Sequence, residues 1–66
     1  NKIIMFLRGE PNRTAKKSKL LRYIRKPAKE VNTALETMEE AEMIVMFQGK
    51  EEGVKKQPLY IRCIMD

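Results

Sequence analysis

The chain predicts an α+β fold, a winged helix-turn-helix of three helices followed by a two-stranded β wing. Three observations carry that expectation. Apolar residues recur at helical spacing in successive segments up to Ala41. Beyond Ala41 the period shortens, and the β-branched apolar runs "EMIVMFQGK" and "PLYIRCI" match in length and character. Between these runs lies "QGKEEGVKKQ", polar and carrying two glycines, as a hairpin connection requires.

In the first segment, "KIIMFLRGE", Ile3, Phe6 and Leu7 share one helical stripe and Gly9 marks the stop. "PNRT" reads as a turn, with Thr14 placed to cap a second helix. That helix turns Leu20, Leu21 and Ile24 inward and keeps Lys16, Lys17, Lys19 and Arg22 in water. Pro27 suits the first turn of a third helix. There Val31, Ala34, Leu35 and Met38 form the buried face, opposite Lys29, Asn32, Thr33 and Glu36. Pro58 can open the last strand without breaking a ladder. In this order of elements the third helix holds the recognition position. No internal repeat or low-complexity tract competes with the reading.

Sixty-six residues predict one domain, spanning 1–66. A chain of that size buries about 60% of the surface its unfolded form exposes, so its stability margin is thin. With two Tyr, two Phe and no Trp, aliphatic residues and Met must fill most of the core. The chain starts at Asn1 within an apolar pattern, and the expectation is a piece of a longer protein. No run reaches the ~18 apolar residues of a membrane span, and the amino end has no signal-peptide pattern. The single Cys63 cannot form an internal disulfide, which favours a reducing intracellular compartment: nucleus, cytoplasm or mitochondrion. Histidine is absent, so Cys/His zinc sites and histidine-dependent triads are excluded. Seven of the nine acidic residues cluster at Glu36 to Glu42, at Glu51 and Glu52, or at Asp66, where solvation explains them better than catalysis. The reading is therefore a non-enzyme without metal or cofactor. A net charge of +5 points to a polyanionic partner, although the same charge also keeps a small domain soluble.

The third helix carries its charges against its own dipole. Arg25, Lys26 and Lys29 stand at the amino end, while Glu39, Glu40 and Glu42 stand at the carboxyl end. Each misplaced charge costs about 0.3–1 kcal/mol. Phosphates docked at the amino end would neutralise the cations and accept from the free backbone N–H groups. The alternative is ordinary solvated side chains. A second basic group at Lys50, Lys55 and Lys56 in the wing favours the phosphate reading. Asn32 is either an amide that bridges phosphates or reads a base edge, or a tolerated surface residue. Tyr23 is expected to cover the second helix, and strand alternation turns one of Leu59 and Tyr60 outward. The run Glu36, Glu39, Glu40 and Glu42 should face away from any phosphate, with Glu36 the difficult member.

"KEVNTAL", a two-stranded wing and "QPLY" together make the chain, from Ile3 to Ile64, similar to a known family. It resembles the Z-DNA-binding (Zα) domains of adenosine deaminases acting on RNA and of interferon-linked and poxviral nucleic-acid sensors. The resemblance implies that the third helix and wing grip the zigzag backbone of a left-handed DNA or RNA duplex, largely without sequence readout. In that family a helix Asn and Lys hold phosphates, a Tyr packs on a syn purine, and wing prolines and a Trp complete the surface. Asn32 matches the Asn and Pro58 the second wing proline, while Tyr60 takes the Trp position. Ala28 stands where the Lys is usual, with Lys29 beside it. Gln57 replaces the first wing proline, and Glu36 replaces the Tyr. The interface expected on these grounds joins Arg25, Lys26, Lys29, Asn32, Thr33 and Glu36 to Lys55, Lys56, Gln57, Pro58 and Tyr60. Two other readings stay open: a winged helix that binds right-handed DNA or single-stranded or structured RNA, and a protein-interaction module among the subunits of a larger complex.

Overall fold

The computed structural model of the chain describes residues 2–50, 52–53 and 55–65, so Glu51 and Asp66, expected to be solvated, lie outside the described residues. It contains three α-helices and an antiparallel sheet of three strands. In chain order these are α1 (Lys2–Arg8), β1 (Thr14–Lys16), α2 (Lys17–Tyr23), α3 (Ala28–Glu40), β2 (Ile44–Gln48) and β3 (Leu59–Cys63).

The expected hairpin forms. β2 pairs with β3 from Ile44 opposite Cys63 to Gln48 opposite Leu59. The sheet has one strand more than expected, because Thr14–Lys16 adds to the far side of β3 in the order β1-β3-β2. Thr14 therefore opens a strand opposite Arg62 and caps no helix, and its hydroxyl donates to the Asn12 carbonyl at 2.9 Å. α2 begins three residues later, with Lys16 at its N-cap and no side-chain cap bond. As strand residue and cap together, Lys16 is half-buried rather than in open water. Asn12 and Arg13, both at positive φ, make the sharp turn into β1.

The core lies between the helices and one face of the sheet. Leu7 of α1, Leu20 of α2, Leu35 of α3, Ile44 of β2 and Ile61 of β3 are fully buried. Burying such a side chain contributes about 1.5–3 kcal/mol. Val31, Leu35 and Met38 form the inner face of α3 as the spacing predicts, and Ala34 is half-buried beside them. Ile3, Ile4 and Leu7 of α1 close the core from the other side. Tyr23 packs on Phe6 at 4.7 Å between ring centroids, bridging α2 to α1, yet stays 54% exposed.

α3 ends on two reciprocal bonds. The Met43 N–H donates to the Met38 carbonyl and the Glu42 N–H to the Glu39 carbonyl, both at 3.0 Å. That is a Schellman closure, and it places Glu42 at φ 59°, where glycine is the usual occupant.

Candidate nucleic-acid interface

The loop from α2 to α3 positions the first basic group. α2 closes with Ile24, whose N–H donates to the Leu20 carbonyl at 3.0 Å, and the chain then turns through Arg25 at φ 34°. A non-glycine residue there costs about 1–2 kcal/mol. Pro27 forms the N-cap of α3, its carbonyl accepting from the N–H groups of Glu30 and Val31. As N-cap, Pro27 makes no side-chain cap bond. The amino end of this helix therefore keeps backbone donors for an external acceptor, with Arg25, Lys26 and Lys29 exposed around it.

Lys29, Thr33 and Glu36 lie on the solvent face of α3, directly opposite the Val31–Leu35–Met38 stripe. Thr33 is spoken for, its hydroxyl donating to the Lys29 carbonyl at 3.0 Å. Asn32 stands on the flank between solvent face and core. It is half-buried, and its Oδ1 is enclosed with no hydrogen-bond partner. An acceptor stranded in this way costs about 1–3 kcal/mol. Glu36 is one turn beyond Asn32 on the same side, fully in water. Glu39, Glu40 and Glu42 are likewise exposed toward the carboxyl end.

In the β2–β3 connection Lys55 and Lys56 are exposed and Gln57 and Pro58 half-buried. The Pro58 carbonyl accepts from the Gly49 N–H at 2.8 Å, which extends the β2–β3 pairing by one residue. Tyr60 points elsewhere. Ile61 and Cys63 are buried against the helices, so strand alternation puts Tyr60 on the opposite face of the sheet. There its ring stacks on Phe47, with centroids 5.7 Å apart and planes 13° from parallel. The expected residues thus fall into an α3 group, a wing-loop group, and Tyr60 on a separate surface with Phe47.

A cleft beside α3 escaped sequence reasoning. It has a volume of about 760 Å³ and is lined by Lys2, Tyr23, Arg25, Lys26, Glu30 and Val31, among others. Glu30 and Ala34 are on the flank of α3 away from Asn32, so the cleft and the Asn32 face are separate. Its lining joins Lys2 and Ile3 of α1 to residues between Tyr23 and Ala34, and no local pattern announces that contact. Among the described residues no group of three or more His, Cys, Asp or Glu side chains could hold a metal ion. Nor, among these residues, is any helix long and apolar enough to cross a membrane. No family model, curated protein or solved structure matches the chain.

Proposed function

We propose that the domain is a winged helix of Zα type that binds double-stranded nucleic acid through its phosphate backbone, with α3 and the β2–β3 loop as the two grips. The observation that carries this reading is the uncapped amino end of α3, ringed by Arg25, Lys26 and Lys29. Phosphate oxygens there accept from the helix N–H groups and offset the cations that oppose the helix dipole. Asn32 donates one turn further along. Lys55 and Lys56 supply the second grip across the groove. Such contacts position a duplex without reading its bases.

The finer proposal is a left-handed duplex, supported by Asn32 and Pro58 at their family positions. A right-handed DNA or RNA duplex is the second reading, favoured by Tyr60 stacking on Phe47 and by Glu36 standing free beside Asn32. Circular dichroism of an alternating CG duplex separates them. Inversion of the long-wavelength bands on titration supports the left-handed target, and binding with unchanged bands supports the right-handed one. Glu36→Tyr adds a ring and Glu36→Gln removes charge only. In the left-handed reading both tighten binding, and the tyrosine also speeds conversion. Indifference of affinity and conversion to both variants would place Glu36 away from the ligand and defeat the proposed docking.

A further inference from the structure

We infer that the solvent face of the sheet is a second nucleic-acid surface, which takes single strands by stacking a base on the Phe47–Tyr60 pair. This goes beyond the duplex grip of α3, and uses residues on another side of the molecule.

By register and alternation, the outward strand residues are Thr14 and Lys16 of β1, Val45 and Phe47 of β2, and Tyr60 and Arg62 of β3. They form two cross-strand rows, Lys16–Tyr60–Phe47 and Thr14–Arg62–Val45. Val45 and Phe47 are 38% and 43% exposed, and with the half-buried Tyr60 they make one apolar patch on the outward face. The two rings are already nearly parallel, and β2 is an edge strand, so among the described residues no strand covers the far side of Phe47. A flat aromatic ligand extends that stack. Gly49 permits it: a Cβ there would run into the Tyr60 ring, which rests over the glycine backbone.

Charge selects the occupant. The two rows carry Lys16 and Arg62 and no carboxylate. Arg62 also lines a hollow of about 350 Å³ with Asn12, Arg13 and Ile64. Arg13 is anchored there, its Nη1 donating to the Met65 carbonyl at 3.0 Å, with donors left over for an anion. Tyr60 and Arg62 are two residues apart on one strand, about 6.6 Å. A base on the rings thus has Arg62, in the neighbouring row, as its nearest outward cation along β3. Aromatic rings beside a cationic track are what unpaired strands require, and bases inside a duplex cannot reach such rings.

The test is fluorescence anisotropy of a labelled oligo(dT) and oligo(rU), beside a duplex, on the whole chain. Phe47→Ala should weaken single-strand binding about ten-fold, the loss of one stacked base, and leave duplex binding unchanged. Arg62→Gln should flatten the single-strand salt slope by about 0.7. Asn32→Ala should lower duplex affinity only, so failure of one face is distinguishable from failure of the other. Phe47→Tyr keeps a ring and should bind as wild type. With no Trp and two Tyr in the chain, a Tyr23→Phe background makes Tyr60 the sole emitter, and oligonucleotide should quench it. The inference is overturned by absent single-strand binding, by wild-type affinity in a folded Phe47→Ala, or by no quenching of Tyr60. A dimer in sedimentation that Phe47→Ala dissociates would also overturn it, since a second copy would then cover the face.

Discussion

At Arg25 the chain holds a residue that its backbone does not favour. With φ 34° after the close of α2, this is a position where glycine is common, and the side chain that replaces it lies at the amino end of α3. Backbone strain of this kind collects at functional sites. Its basic charge also suits the carboxyl end of α2, worth about 0.3–1 kcal/mol, which is too little to offset the strain fully. Arg25→Gly should therefore raise thermal stability, by up to about 1 kcal/mol, while weakening duplex binding. Differential scanning calorimetry with a binding isotherm reads both; a variant that loses stability and keeps affinity would make Arg25 a purely structural residue. Asn32 and Leu35 test the faces of the same helix. Asn32→Ala should cost about 1–2 kcal/mol of binding and little stability, being a half-buried amide with a stranded oxygen. Leu35→Ala should cost about 2–5 kcal/mol of folding stability. Equal losses of melting temperature in the two would reverse the assigned faces.

α3 is the element in which sequence and structure agree most closely. Its buried stripe, its exposed Lys29, Thr33 and Glu36 and its start beside Pro27 all follow from a 3.6-residue period and a proline. Its end does not, because the Schellman closure at Glu42 lacks the glycine by which such ends are known. β1 was not legible for a different reason. Three residues beginning with Thr have no strand period, and Thr-Ala-Lys is extended here because β3 arrives from more than forty positions downstream to pair with it. The same non-local pairing set the outward direction of Tyr60, which alternation alone left open between Tyr60 and Leu59. The reversed charges of α3 give the element its own prediction. Glu40→Lys should add about 0.3–1 kcal/mol of stability without loss of binding, and Lys29→Glu should add a similar amount while sharply weakening it. Thermal melts paired with anisotropy check this, and equal effects of the two on affinity would contradict a phosphate site confined to the amino end.

Across the whole molecule, basic side chains are exposed at the amino end of α3 and in the β2–β3 loop, and the stacked rings lie with Lys16 and Arg62 on the outward face of the sheet. Separation of Tyr60 from α3 depends on the sheet register, which the composition does not carry. If α3 and the wing grip a duplex through about four to six phosphates, binding must release counterions, with log K falling about 0.9 per phosphate for each unit of log salt on B-form DNA. The most direct measurement is an anisotropy series over salt with a duplex and the whole chain. The expected slope is about −4 to −5, made shallower by Lys29→Ala and by Lys55→Ala with Lys56→Ala. No binding at low salt, or binding that is indifferent to salt and to those lysines, would contradict it.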